Sequence, residues 1–480
     1  MCIMLGKRGY MEREKNIEND NMNTSAQTEG QKQNIMGYMP CNKLLLTLSL
    51  PMMLSMMVQA LYNIVDSIFV AQLNENALTA VSLAFPIQSF LIAVGAGTGV
   101  GINARLSRKL GEKNQEEVNV TAGNAILIAI IYAVIFAVLG QFICGPFYKA
   151  MTADAEIRQY GVDYIYVVLS FGFALIFQMT GERLLQSTGK TIYSMITQGA
   201  GAIFNIIMDP ILIFGLLGFP AMGTKGAAIA TVAGQCIAAI LAIIFNLKVN
   251  KEINFDKKYL KPESETIKAI YAVGLPSIVM QSISSVMNFG MNKILLQFSS
   301  TAAAAFGIYF KLQSFVFMPI FGMNNGVVPI IAFNFGARKP DRIKETFKLA
   351  VIYATGIMVC GMLIFEFLPG PLLRLFNASD NLYSIGTLAL RIIAVHFIFA
   401  GYDIICSSMF QALGHGLKSL WVSLVRQLIV LLPAAFILAK LFGLNAVWLS
   451  FPIAELASLL LSTVFIRHIF KAEIEPLYNK

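Results

Sequence analysis

Charge is what this 480-residue chain has least of. Asp, Glu, Lys and Arg make up only 13% of it, against roughly 25% in a typical soluble domain. Histidine occurs three times, at His396, His415 and His468, and tryptophan twice. The six cysteines are scattered and include no CxxC pair, which argues against both a disulfide framework and a metal site. HExxH, GxSxG and paired-acid hydrolytic motifs are missing, so nothing points to an enzyme. No phosphate-binding loop is present either. The run GAGTGVG (Gly95 to Gly101) lies inside an apolar stretch, without a flanking strand or a GK[ST] ending. Small residues there suit close packing of helices. ATP-driven transport by this chain alone is thereby excluded.

What is abundant is apolar sequence. Hydrophobic residues are 56% of the chain and the mean hydropathy is +0.67. Runs of about 20 apolar residues are long enough to cross a bilayer as a helix. Such runs cover roughly 44–70, 78–104, 120–144, 160–181, 192–217, 225–248, 267–298, 302–333, 347–369, 383–410, 418–442 and 444–468. The fold expected is therefore an all-α membrane protein of about twelve transmembrane helices. Its net charge of +9 is no sign of nucleic acid, because the basic residues cluster in alternate loops. Arg105, Arg108, Lys109 and Lys113 fall in one such loop, Lys248 to Lys268 in another, and Arg338 to Lys348 in a third. By the positive-inside rule these loops and both termini are cytoplasmic. The polar stretch before residue 41 has no apolar core of a signal peptide and reads as a disordered cytoplasmic tail, 1–40.

The chain also repeats itself. At a shift of 276 − 51 = 225 residues, Leu50-Pro51 meets Leu275-Pro276 and Asn63 meets Asn288. Gln88-Ser89-Phe90 meets Gln313-Ser314-Phe315, Gly101 meets Gly326, and Gly189 meets Gly414. Apolar composition alone would not hold Pro, Asn, Gln and Gly in one register. Each copy has six spans, an even number, so the two copies enter the membrane from the same side as parallel repeats. The expected organisation is a six-helix lobe over 41–248, a linker over 249–266, a second lobe over 267–470 and a tail over 471–480. Two such bundles around a central cavity suit alternating access.

Against that symmetry the polar residues are informative. Gln59, Asn63 and Asp66 recur at helical spacing in the first span. Asn205 and Asp209 stand one turn apart in the fifth. The repeat places Met291 opposite Asp66, Val430 opposite Asn205 and Ala434 opposite Asp209. Acids inside a span are costly and face a bundle interior or a wet cavity. A helix-end acid reaching interface water is the plainer alternative for Asp66, and independent drift the plainer one for the asymmetry. Polar groups expected in a substrate cavity are Gln59, Asn63, Gln88, Gln178, Asn288 and Lys311. The ionisable residues of the second half, among them Lys293, Lys311, Arg391, Asp403 and Arg426, read by default as mutually paired structural charges.

Several stretches together resemble the MATE (multidrug and toxic compound extrusion) family, in its MepA-like bacterial branch. They are SLPMMLSMMVQALYNIVDSIFVAQL, GTGVGINARLSRKLGEKN, LLQSTGKT, NIIMDPILIFG and GTKGAAIATV, with PIIAFNFGARKPDR and MFQALGHG in the second half. The resemblance implies a two-lobed, monomeric exporter in the cell membrane that expels cationic lipophilic drugs or dyes in exchange for protons or sodium ions. It implies that Asp66 and Asp209, with Asn205 and Thr231, form the cation-coupling site. It brings no cofactor beyond the coupling ion, and membrane lipid is the other partner. A sodium-linked acid of the seventh span is missing here, where the chain reads SIVMQSISSVMNFG. That favours protons over sodium. A flippase for a lipid-linked precursor is the rival on the same fold. Burial and a neighbouring carboxylate both favour the neutral acid, so Asp66 and Asp209 are expected to titrate as a coupled pair.

Overall fold

The structure is a computed structural model that describes residues 34–376 and 379–479. Among these residues it is helical, with no strand. That is what an apolar solvent demands. A lipid-exposed backbone must satisfy its own hydrogen bonds, and a helix does so within one segment. Ten helices are long and apolar enough to cross a membrane, and two bent helix pairs bring the spans to twelve. The first lobe contains α1 (Cys41–Ala71), α2 (Glu75–Gly111), α3 (Gln115–Met151), α4, α5 (Thr191–Phe214) and α6 (Gly223–Lys248). α4 is broken into Ala155–Ser170 and Phe173–Ser187, bent by 44°. The second lobe contains α7 (Ser264–Leu295), α8 (Ser300–Gly336), α9 (Pro340–Phe367), α10, α11 (Gly416–Phe442) and α12 (Leu444–Asn479). α10 is broken into Asp380–Ala394 and Phe397–Ala412, bent by 49°. Large apolar side chains such as Phe142, Ile131, Leu460 and Val464 are exposed on the outer faces, where lipid would cover them.

The duplication extends to the backbone. Asn74 caps the N-terminus of α2 and Ser299 that of α8, each accepting a backbone N–H. Asp154 and Ser379 do the same for the first halves of α4 and α10. Both pairs are in the 225-residue register, and each cap is worth about 1 kcal/mol. Left-handed residues repeat as well: Lys113 (φ 58°) with Arg338 (φ 53°), and Gly189 (φ 83°) with Gly414 (φ 91°). Gly218 and Gly443 form a third such pair.

The lobes meet along a seam of small residues. A Cβ at Gly101 would collide with the carbonyl of Ile270 on α7, and one at Gly97 would stand 2.6 Å from the Ile278 backbone nitrogen. Opposite them, a Cβ at Gly326 on α8 would stand 2.9 Å from Ser49 Cα on α1. Gly111 and Gly336 touch the reciprocal backbones of Phe333 and Arg108. The glycine run of α2 is thus a packing surface. All these contacts lie in the half of each helix nearer the basic loops, so the molecule is closed at that end.

One further closure was not visible in the sequence. Residues 1–33 of the expected tail lie outside the described residues, but the chain is already folded from Asn34. The 3₁₀ turn Ile35–Gly37 buries Met36. Asn34 Nδ2 donates to the Thr188 carbonyl of the first lobe at 2.9 Å. From the second lobe, Arg342 Nη2 donates to the Met36 and Met39 carbonyls at 3.0 and 2.7 Å, and Lys339 Nζ to Gly37 O at 2.6 Å. The segment straps the lobes together at the basic end.

Candidate functional site

α5 presents Asn205 and Asp209 on its buried face, one turn apart. Asp209 is fully buried. Asn205 Nδ2 donates to Asp209 Oδ1 at 3.2 Å and lies 3.3 Å from Thr231 Oγ1 on α6. A single amide therefore ties the acid to the neighbouring helix. Asp66 enters from α1, its carboxyl within hydrogen-bonding reach of that of Asp209. The four residues Asp66, Asp209, Asn205 and Thr231 are thus brought into one cluster by α1, α5 and α6.

The cluster is rich in acceptors and short of donors. Asp66 Oδ1, Asp209 Oδ2 and Asn205 Oδ1 are all buried without a hydrogen-bond partner. Among the described residues, no Lys or Arg acts on either carboxyl. An unpartnered buried carboxylate costs several kcal/mol, on the order of what a desolvated ion requires. Such a site is relieved by a proton or by a hard cation that takes oxygen ligands.

Two phenols complete the surroundings. Tyr62 on α1 and Tyr164 on the first half of α4 stand near both acids. Gln88 Nε2 on α2 donates to Tyr164 Oη at 2.9 Å, so Gln88 acts by holding this ring. Neither tyrosine was singled out from sequence. Tyr62 sits at i+3 from Gln59 and i−4 from Asp66, a spacing that could have drawn attention to it.

A cavity of about 90 Å³ adjoins the cluster. Gln59, Tyr62, Gln178, Glu182, Asn205 and Thr231 are among its lining residues. Of the expected cavity residues, Gln59 and Gln178 therefore line it. Asn63, Gln88, Asn288 and Lys311 do not. Asn63 and Lys311 are exposed, and Asn288 is half-buried on α7. Asn63 misses because the face turned inward runs through Gln59, Tyr62 and Asp66.

Glu182 is a further acid of this lobe, buried like Asp209 and not among the residues expected from the sequence. It accepts from Gln178 Nε2 at 3.0 Å, Thr197 Oγ1 at 3.1 Å and Gln198 Nε2 at 2.6 Å. Its neighbour Arg183, just past the expected end of the fourth span at residue 181, is buried as well. Arg183 Nη1 donates to Gln186 at 2.8 Å and, across the lobes, to Asn325 Oδ1 on α8 at 2.7 Å. The reason is that α4 continues to Ser187, past the expected end of the fourth span. Gly99 makes room for the Arg183 side chain.

A family model described as MatE matches the chain twice, over residues 51–211 and 276–437. The two matches begin 276 − 51 = 225 residues apart. The multidrug export protein MepA of Staphylococcus haemolyticus is 30% identical over 415 residues, covering 86% of this chain and 90% of that protein. MepA of Staphylococcus aureus is 29% identical over 419 residues, covering 87% and 91%. Among solved structures, the outward-facing conformation of a multidrug resistance MATE family transporter of the MOP superfamily matches with a TM-score of 0.87 and 26% identity, covering 94% of this chain and 99% of that one. A crystal structure of MATE in complex with MaL6 matches with a TM-score of 0.87 and 25% identity, covering 94% and 100%.

Proposed function

The chain belongs to the MatE family, and from that premise we propose that it exports cationic lipophilic compounds in exchange for protons, with Asp66 and Asp209 as the shared acceptor. It is a transporter and not an enzyme, a multi-pass protein of the membrane. The curated relatives are named multidrug export proteins, and that activity is carried over here as part of the proposal.

The observation that carries the reading is the acid pair, with its orphaned oxygens and no basic partner. Two carboxyls that face each other in a dehydrated interior take up a proton between them. In that state the pair holds less negative charge and releases a cation. Deprotonated, it attracts one, and the attraction is several-fold stronger than in water because the site is only partly hydrated. Proton and drug therefore compete for the same charge, which is the minimum requirement of an antiporter. The cavity beside the pair, with Met56, Met179 and Leu175 among its walls, suits apolar bodies of varied shape.

Orientation follows from charge. With the basic loops in the cytoplasm, the glycine seam and the strap close the cytoplasmic end. This supports an outward-facing state, in which the pair would accept its proton from outside.

The test is transport by purified protein in liposomes. An imposed pH gradient, acid on the trans side, should drive ethidium accumulation. A sodium gradient at equal pH on both sides should not. Sodium-driven accumulation without a pH gradient would move the assignment to sodium antiport, and selective binding of a lipid-linked pyrophosphate with no dye binding would move it to a flippase.

A further inference from the structure

The strap ahead of α1 is held unequally by the two lobes. On the second-lobe side four hydrogen bonds hold it, all to its backbone carbonyls. Arg342 Nη2 donates to Met36 O and Met39 O, Asn334 Nδ2 on α8 to Met36 O at 3.2 Å, and Lys339 Nζ to Gly37 O. Asn334 Oδ1 in turn accepts from Arg342 Nε at 3.0 Å, which fixes the guanidinium. Met36 is fully buried, in one apolar cluster with Leu44 and Leu48 of α1 and Val327 and Ile331 of α8. The strap and the first turns of α1 are therefore bound to the second lobe.

On the first-lobe side the grip is one side chain. Asn34 Nδ2 donates to Thr188 O at 2.9 Å and lies 3.4 Å from Glu252 Oε1. Lys190 Nζ, 2.7 Å from both Glu252 oxygens, holds that carboxylate in place. Among the described residues, no other hydrogen bond joins the strap to the body of the first lobe. Ile35 and Met36 lie against Gly189, which offers no side chain to interlock with them. An amide–carbonyl bond that water can replace is weak in net terms, so this is the side that can let go.

The repeat shows that the fold closes without a strap. In the 225-residue register the strap corresponds to the linker just before α7, and that stretch runs elsewhere. Asn124 on α3 donates to Lys261 O at 3.2 Å and accepts from Glu263 N at 2.9 Å. The seat equivalent to that of the strap is left as a cavity of about 220 Å³. Arg108, Lys109, Leu413 and Gly414 line it, in register with Phe333, Asn334, Thr188 and Gly189 around the strap. Both seams pack through glycine, Gly101 on Ile270 and Gly326 on Ser49. The strap is added, on the α1–α8 side, to a closure that the glycines already make.

We propose that the strap is a one-sided latch on the basic, cytoplasmic end. Before that end opens, Asn34 releases Thr188 and Glu252, and the strap leaves with the second lobe, still held by Arg342. The device is a discrete contact that exists in one state of the transporter and not in the other. The inference rests on the outward-facing reading of this state.

The test is made in a background without native cysteines. Asn34→Cys and Glu252→Cys are joined by a short reducible bis-methanethiosulfonate, and the yield is read by mass spectrometry. In liposomes the joined protein should lose most of its pH-driven ethidium accumulation, and dithiothreitol should restore it. The same reagent across Asp341→Cys and Tyr478→Cys, two contacting positions within the second lobe, should leave export unchanged. Spin labels on cysteines placed at Lys251 and Lys348, exposed positions at the basic ends of the two lobes, give an arm that needs no substrate. Asn34→Ala should shift their separation toward a longer, open population. Tyr38→Ala, which truncates an exposed side chain of the strap, should not. Export by the joined protein at the unjoined rate, or a separation unmoved by Asn34→Ala, would overturn the proposal and leave the strap a static brace. A parent that exports no dye, with the label shift still present, would overturn the export reading and leave the latch standing.

Discussion

Asp66 on α1 and Asp209 on α5 meet carboxyl to carboxyl inside the first lobe, and among the described residues no basic side chain acts on them. Asn205 holds Asp209 in place at 3.2 Å, and one oxygen of each acid has no donor. Like charges in contact and out of water cannot both persist without a compensating cation. The arrangement therefore favours something positive at the pair, and the proposed exchange would put a proton and a drug cation there in turn.

Replacing either acid by its amide removes this demand at nearly constant shape. Asp66→Asn and Asp209→Asn should each lower pH-driven dye export by at least about tenfold, equivalent to 1.4 kcal/mol or more of lost coupling. Amount in the membrane and Tm should stay near those of the parent, because an uncompensated buried charge has been deleted. Export at the parental rate by either variant would reduce that acid to a structural polar group.

The loop charges make a topological prediction. Single cysteines at Lys113, Lys257 and Lys339, in a background without native cysteines, should react with an impermeant maleimide only from the cytoplasm. A cysteine at Glu75 should react only from outside. Labelling of position 257 from outside would break both the twelve-span count and the parallel repeat.

The glycine seam can be tested by overpacking. Gly101→Val forces a side chain into the Ile270 carbonyl across the lobes, and overpacking of this kind costs typically about 1–3 kcal/mol. A Tm drop of several degrees is expected, together with a wider spacing between spin labels on the basic ends of α2 and α7. Gly145, which has nothing within 4 Å, is the control: Gly145→Val should leave both readings unchanged.

Much of this is legible in the sequence. Apolar runs of spanning length fixed the helix count, because lipid leaves the backbone few alternatives. The 225-residue register located the lobes, and it recurs in the caps Asn74 and Ser299 and in the left-handed Lys113 and Arg338. The acids that break the repeat, Asp66 and Asp209, led to the cluster because a carboxylate in a span is expensive wherever it sits. What escaped was pairing at long range. Nothing local in ERLLQSTGK says that Arg183 reaches Asn325, or that Asn34 and Arg342 grip one turn of chain from opposite lobes. Nothing local in the sequence around Glu455 shows that Arg426 stands beside it. Helical periodicity reports which residues share a face. It carries no information on what the next helix brings to that face, and Asn63 was assigned to the cavity for that reason.

The most direct measurement counts protons during drug binding. Ethidium is added to the purified protein in weakly buffered solution, and the pH change is followed alongside dye fluorescence across a pH series. If drug and proton compete for the Asp66–Asp209 pair, binding should release protons, and dye affinity should rise with pH as the pair ionises. Asp66→Asn and Asp209→Asn should release markedly fewer. Tight dye binding with no proton release, and with an affinity indifferent to pH, would contradict the account at its centre.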